Sequence, residues 1–167
     1  TTSLMNVTAG PYTTGSDTQG GALVSAEVKN ATFGAAADMD AWTFSGTNGD
    51  RVLLSAVLTA AGSADTQIYL YPPGGGAPVV ATSGDRVDHQ LNATGTWVVL
   101  TQEAGFDHTG PYNLSLLNVT AGPLSNGADP DGGAIVSAEI KTGQMQQAGD
   151  FDAFTFTGTA GPRVVVR

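Results

Sequence analysis

The feature that most constrains this chain is an internal repeat with an offset of 112 residues. Residues 3–55 align with residues 115–167 without a gap, and 29 of the 53 aligned positions are identical. Identity on this scale predicts a tandem array of related units. A unit of about 110 residues is long enough to bury its own core, so each unit is expected to fold as a domain, unlike the shorter units of solenoids.

The register of the repeat predicts the domain organisation. Both interdomain segments are rich in Gly, Pro, Ser, Thr and Asp, and Pro11 and Pro123 are expected to stiffen them. The chain starts without Met and without a signal peptide, which predicts a mature or internal segment. The predicted parts are the last strand of a preceding module (1–9), a linker (10–19), a complete module (20–119), a second linker (120–131) and the first part of a following module (132–167).

The charge and composition argue against several classes of partner. The net charge is −9, and the six basic residues stand apart from one another, so neither nucleic acid nor an anionic membrane surface is an expected partner. No apolar run reaches the roughly 18 residues of a transmembrane helix. The sequence contains no cysteine, which excludes disulfides, thiolate catalysis and cysteine-based zinc sites.

Short apolar or alternating segments separated by Gly, Asp and Pro predict an all-β fold. Turn signals such as Asn48-Gly49-Asp50 lie between the segments, and no stretch has sustained helical periodicity. Eight strands at this spacing predict an antiparallel, jelly-roll-like β-sandwich. The predicted strands are Leu23–Val28, Ala41–Ser45, Arg51–Leu58, Gln67–Tyr71, Val79–Thr82, Val87–Leu91, Thr96–Gln102 and Tyr112–Val119.

Five short motifs occur in order along the complete module: Asp38-x-Asp40-x-Trp42-x-Phe44, Gly49-Asp50-Arg51-Val52, Asp65-Thr66-Gln67-Ile68-Tyr69-Leu70-Tyr71, Gly95-Thr96-Trp97-Val98-Val99 and Gly110-Pro111-Tyr112-Asn113-Leu114. Together they resemble the bacterial pre-peptidase C-terminal (PPC) domain family over residues 20–119, and the pattern starts again at residue 132. The resemblance implies a secreted β-sandwich that accompanies exported enzymes and surface proteins, with binding or spacer roles and no catalysis of its own. The expected location is therefore extracellular or at the cell surface.

Paired aspartates are the sharpest candidates for a metal site. Asp38 and Asp40 recur as Asp150 and Asp152, and side chains two residues apart on a strand project from the same face. Calcium takes six to eight oxygen ligands, which such a pair could supply in part. The alternative interpretation is that these acids mark the polar start of a strand whose next aromatic residues enter the core. No other cofactor is indicated.

The linker acids Asp17, Asp129 and Asp131 offer a second calcium hypothesis, in which the ion rigidifies a domain junction. His89 and His108 each follow an aspartate, but neighbours on a strand point to opposite faces, and no nucleophile motif accompanies them.

Trp42, Trp97, Tyr69 and Tyr71 would suit either a sugar-stacking platform or core packing. Core packing is favoured, because Trp42 and Phe44 alternate like inward residues and Trp97 precedes an apolar Val-Val-Leu run. The motif for N-glycosylation occurs five times, at Asn6, Asn30, Asn92, Asn113 and Asn118.

These features favour a non-catalytic structural repeat that forms a stalk or extracellular filament. The alternative is an extracellular binding module for a glycan or protein, with calcium as a potential requirement. A sharper hypothesis concerns assembly. By the register of the repeat, the segment Ser3, Leu4, Met5, Asn6 and Val7 corresponds to the closing strand of a module. Residues 134–166 correspond to a module that lacks its closing strand. Donation of this strand to a neighbouring copy would pair both edges head to tail, so copies of the chain or neighbouring modules are the expected partners.

Overall fold

The computed structural model describes residues 2–60 and 65–167. None of these residues forms a helix that could span a membrane. The strands of the described ranges are β1 (Gly20–Ala22), β2 (Glu27–Phe33), β3 (Met39–Gly46), β4 (Arg51–Leu58), β5 (Thr66–Tyr71), β6 (Val80–Thr82), β7 (Arg86–Gln90), β8 (Gly95–Glu103), β9 (Gly110–Asn118), β10 (Gly133–Ala134) and β11 (Phe154–Thr155).

The complete module is a β-sandwich of two sheets. One sheet has the strand order β1-β3-β8-β5-β6 and the other has the order β2-β9-β4-β7. All neighbouring strands are antiparallel except β1 and β3, which are parallel. The predicted all-β antiparallel sandwich is therefore confirmed.

The core lies between the two sheets and follows from period-two alternation along the strands. The core includes Val52, Leu54 and Ala56 from β4 and Trp42 and Phe44 from β3. The other buried members include Phe33, Ile68, Leu70, Trp97, Val99, Tyr112, Leu114 and Leu116.

Seven of the eight predicted strands agree with the structure to within two residues at either end. The prediction of a strand over Leu23–Val28 is wrong. Leu23 enters the core, but the chain then turns, with Ala26 at a φ of 61° and the Glu27 carboxylate accepting a hydrogen bond from the amide of Val24. The alternation of apolar and polar residues in this segment therefore arises from a turn rather than from an extended strand.

Contacts of the first unit recur in residues 120–167. The parallel pair β1–β3 places Gly21 opposite Trp42, and the parallel pair β10–β11 places Gly133 opposite Phe154, 112 residues later. Beyond β11, residues 156–167 carry no strand, so the segment that corresponds to β4 is not paired as β4 is.

The segment before the complete module differs from expectation. Thr1 lies outside the described residues, and residues 2–9 form no strand, although Ser3–Val7 were predicted to be one. Met5 and Val7 instead pack on the outer face of the five-stranded sheet, against Ala41 and Val98. Burial of these apolar side chains stabilises the segment without strand pairing.

Candidate functional site

Three aspartates that are distant in sequence meet at the edge of the complete module. One carboxylate oxygen from each of Asp17, Asp38 and Asp40 lies within 4.8 Å of the others. We call this group the first triad. Asp17 belongs to the linker, whereas Asp38 immediately precedes β3 and Asp40 is its second residue. The triad therefore joins the linker to the module.

Local hydrogen bonds orient the two outer members of the first triad. Asp38 accepts hydrogen bonds from the amide of Gly34 at 2.7 Å and from that of Met39 at 3.0 Å. Asp17 accepts one from the amide of Gln19 at 3.1 Å, through Oδ1. These bonds within short turns hold the carboxylates of Asp17 and Asp38 in place at the triad.

Asp40 is the buried member. Its side chain is 0% exposed, and Oδ2 accepts a 2.6 Å hydrogen bond from the Tyr112 hydroxyl on the facing sheet. Oδ1 is buried and accepts no hydrogen bond from any described residue. Burial raises the pKa of Asp40 to about 7, the bond from Tyr112 opposes the shift, and the charges of Asp38 and Asp17 add to it. A buried carboxylate with an unpartnered oxygen is costly unless a cation or a proton joins it.

A second triad of the same kind recurs 112 residues later. Asp129, Asp150 and Asp152 also place one carboxylate oxygen each within 4.8 Å of the others. Asp150 accepts hydrogen bonds from the amides of Gln146 and Phe151, each at 2.9 Å, as Asp38 does from Gly34 and Met39.

Two oxygens of the second triad are also buried without a partner among the described residues, namely Oδ2 of Asp129 and Oδ1 of Asp152. Burial raises the pKa of both carboxyls, and the charges of the neighbouring aspartates raise it further.

No basic side chain offsets the charge of either triad in the described ranges. The ion pairs recorded there use other acids, such as Glu27, Asp88 and Glu139. Each triad also adjoins an open cleft of about 330 Å³, lined in part by Asp17 and Asp38 in one case and by Asp129 and Asp150 in the other. A small cation from solvent could therefore reach both groups.

The geometry suits a hard cation with oxygen ligands. Each triad offers three carboxylates, and calcium completes a coordination sphere of six to eight oxygens with carbonyls and waters. Calcium also tolerates irregular ligand geometry, whereas magnesium demands a near-ideal octahedron.

The sequence indicated the members of the triads but divided them between two hypotheses. Asp38 and Asp40 were treated as one candidate and Asp17 as another, whereas the structure brings them together. The signal that links them is that Asp17 and Asp129 match in linkers whose other positions mostly differ. Asp131 lies outside the second triad and accepts a 2.8 Å hydrogen bond from the amide of Gln144.

The two histidines lie in different surroundings. His108 is exposed in a turn, where its Nδ1 lies 2.6 Å from Oδ1 of Asp107 and 3.7 Å from Oε1 of Glu103. The argument that an Asp-His neighbour pair points to opposite faces fails here, because it applies to strands only. His89 is half-buried on β7, and its ring centroid lies 6.3 Å from that of Trp97.

The aromatic residues do not form an open platform. Trp42 and Trp97 are buried in the core. Tyr69 and Tyr71 are half-buried on the outer face of the five-stranded sheet, where Met5 and Val7 also pack.

The glycosylation motifs differ in accessibility. Asn6, Asn30 and Asn92 are exposed, although the amide of Asn30 donates hydrogen bonds to Asn113 and Gln147. Asn113 and Asn118 are buried on β9, and both side-chain amides donate hydrogen bonds within the protein.

Solved structures with a similar fold include three bacterial proteins. The pre-peptidase C-terminal domain of a collagenase from Bacillus anthracis is 13% identical, with a TM-score of 0.48, and the match covers 59% of this chain and 94% of that one. PliG of Aeromonas hydrophila, a periplasmic inhibitor of g-type lysozyme, is 14% identical, with a TM-score of 0.46 and coverage of 59% and 96%. The mitogen of Yersinia pseudotuberculosis is 15% identical, with a TM-score of 0.43 and coverage of 57% and 87%.

No protein-family model and no curated protein matches the chain. A pre-peptidase C-terminal domain, the family that the sequence motifs resemble, is among these structures.

Proposed function

We propose that this chain is a non-catalytic structural segment of an extracellular protein, in which β-sandwich modules follow one another and a calcium ion clamps each module to its linker. The observation that carries the proposal is the pair of aspartate triads. They occupy the same three positions of the repeat, and among the described residues one buried carboxylate oxygen of the first triad and two of the second have no hydrogen-bond partner.

The clamp follows from where the ligands come from. Asp17 lies in the linker, and Asp38 and Asp40 lie at the start of β3, so an ion held by all three cross-links the two parts. Holding three carboxylates together, with at least one of them buried and no counter-charge, is unfavourable, and a divalent cation removes most of that penalty. The result is a fixed path for the linker into the module, which suits a stalk or fibre.

The resemblance to secreted domains supports an extracellular setting. Extracellular modules bind calcium with dissociation constants of about 10⁻⁴–10⁻³ M, which is the range we expect. Spacing is what similar modules in series provide, so the repeat supports a structural role over an enzymatic one.

Isothermal titration calorimetry with calcium tests the proposal. We expect two sites in the unaltered chain, one in D17N or in D129N, and none in D17N/D129N. Asparagine keeps the acceptor oxygen that binds the amide of Gln19 but removes the charge. D88N is the matched control, since it neutralises an exposed aspartate of β7 that belongs to neither triad. An unaltered chain that takes up no calcium at millimolar concentration would overturn the proposal, as would a double variant that binds normally.

A second candidate role is filament formation by strand donation. In the complete module, Leu116 of β9 is paired with Glu27 and with Leu54. The corresponding residues 112 positions away are Leu4, Glu139 and Val166, and Leu4 is 95% exposed whereas Leu116 is 2% exposed. The apolar residues Ile140, Val164 and Val165 are also exposed. Insertion of Ser3–Val7 from a second copy would cover these side chains and pair both edges.

Light scattering during size-exclusion chromatography tests strand donation. We expect the chain to form concentration-dependent oligomers and L4D to remain monomeric, because aspartate cannot occupy the buried position of Leu116. Leu4 is exposed within one copy, so L4D leaves the monomer intact. F106D removes another exposed apolar residue and serves as the control. A chain that stays monomeric at high concentration contradicts strand donation.

A further inference from the structure

The outer face of the four-stranded sheet is covered although it points away from the module's core. On β9 the alternate residues Tyr112 and Leu114 enter the core, so Asn113 and Ser115 face outward. Both are nevertheless more than nine-tenths buried, as is the outward Ser55 of β4. Polar residues are buried when they have hydrogen-bond partners, so the cover must supply acceptors or donors.

The cover is the loop of residues 146–151, which belongs to the second repeat unit. Asn113 donates a 3.0 Å hydrogen bond to the carbonyl of Ala148, and Ser115 donates one of 2.5 Å to the carbonyl of Gly149. Asn30 of β2 donates one of 2.6 Å to Oε1 of Gln147. Three side chains from two strands therefore bind three consecutive residues of the loop.

Close packing accompanies these hydrogen bonds. A Cβ atom at Gly149 would lie 3.3 Å from Oγ of Ser55 and 3.4 Å from a methyl carbon of Val57, so the loop backbone rests directly on β4. The guanidinium carbon of Arg86 on β7 lies 5.4 Å from the ring centroid of Phe151, a cation–π contact. All four strands of the sheet thus contribute to the contact.

The same contact occurs one repeat earlier, between the N-terminal segment and the loop before β3 of the complete module. Ser3 donates a 2.5 Å hydrogen bond to the carbonyl of Ala37, and these residues lie 112 positions before Ser115 and Gly149. The positive φ recurs as well, at 63° for Ala37 and 82° for Gly149. One serine, one carbonyl and one loop conformation are therefore shared by both junctions.

The linker between the units is also held to the complete module. Ser25 donates a 2.7 Å hydrogen bond to the carbonyl of Pro123, and the side-chain amide of Asn126 donates one to the carbonyl of Ala26. A linker bound at two points reduces the freedom of the units relative to each other.

We infer that the outer face of β2, β9, β4 and β7 is a docking surface for the next module of the same chain, and that its occupant is the loop that precedes β3 in that module. The inference rests on the proposal that modules follow one another. Each junction then has one geometry, and the array is a rigid rod rather than a string of freely jointed domains.

Nitrogen-15 relaxation of the labelled 167-residue chain, with calcium present, tests docking. We expect the amides of residues 146–151 to share the order of β9, with order parameters near about 0.85. S115R places bulk and charge under the loop and is expected to lower these values below about 0.6 while the core signals of Leu54 and Trp97 keep their shifts. N113A/S115A removes both hydrogen-bond donors without added bulk. It should also lower the order parameters of the amides of residues 146–151.

Q90R is the matched control, because Gln90 is an exposed residue of β7, outside the contacts described. A flexible loop in the unaltered chain would overturn the docking inference, and so would a loop that stays ordered in S115R and N113A/S115A. Calcium titration of S115R separates the two proposals, since the first triad lies elsewhere and should bind as before. The readout is the first triad alone, because Asp150 of the second triad lies in the docking loop itself. Loss of docking with normal calcium binding by the first triad leaves the clamp intact, and loss of that binding with an ordered loop leaves docking intact.

Discussion

At the scale of single residues, the buried Asp40 carboxyl makes the stability of the metal-free protein depend on pH. Burial raises the folded-state pKa of Asp40 to about 7, above an ordinary value near 3.8. Between these values the folded protein binds a proton that the unfolded chain does not, so stability falls as pH rises through that interval. The shift sets an upper limit of about 4 kcal/mol on this loss.

D40N should remove this pH dependence. Asparagine can still accept the hydrogen bond from the Tyr112 hydroxyl but carries no charge to desolvate. Urea denaturation from pH 4 to pH 8 in chelator should show the unaltered protein losing stability relative to D40N as pH rises. The difference in unfolding free energy between the two proteins removes the contributions of groups such as Asp129 and Asp152, whose pKa values are raised in both. Parallel pH profiles for the two proteins would contradict this account of Asp40.

At the scale of elements, the short parallel strand β1 depends on one glycine. Gly20 has a φ of 123°, and a Cβ atom there would lie 2.6 Å from the carbonyl oxygen of Ala41 and 2.7 Å from that of Tyr12. We expect G20A to lower the free energy of unfolding by about 3 kcal/mol. G21A is the control, since Gly21 also has a positive φ but no atom near its Cβ position, and its cost should be about 1 kcal/mol. Equal losses in urea titrations would refute the role of close contact at Gly20.

The strands that the sequence predicted well are those whose alternation is set by the core. Arg51–Leu58 was predicted at its observed bounds, because Val52, Leu54 and Ala56 mark one buried face. The strand observed at Glu27–Phe33 was instead predicted too early in the sequence, at Leu23–Val28. Its polar residues Lys29 and Asn30 conceal the alternation that continues at Ala31 and Phe33.

The same limit applies to the site. Asp38 and Asp40 were recognisable as a pair from their spacing. Tyr112, which binds Asp40, comes from the opposite sheet, 72 residues away, and no local pattern relates the two. Contacts between distant segments follow from the tertiary fold, which a single sequence encodes only indirectly.

At the scale of the whole molecule, the repeat predicted an array, while the junction geometry became visible only in the structure. The linkers were expected to be spacers between independent domains, but Pro123 and Asn126 bind the complete module directly. Under the proposed function, a junction held in this way fixes the orientation of one module relative to the next, as a stalk or fibre requires.

A crystal structure of the chain grown with calcium is the most direct test of the clamp. The account predicts one cation in each triad, with the carboxylate oxygens of Asp17, Asp38 and Asp40, and of their counterparts at Asp129, Asp150 and Asp152, at about 2.3–2.6 Å from the metal. Triads that hold only water or shared protons at millimolar calcium would contradict it.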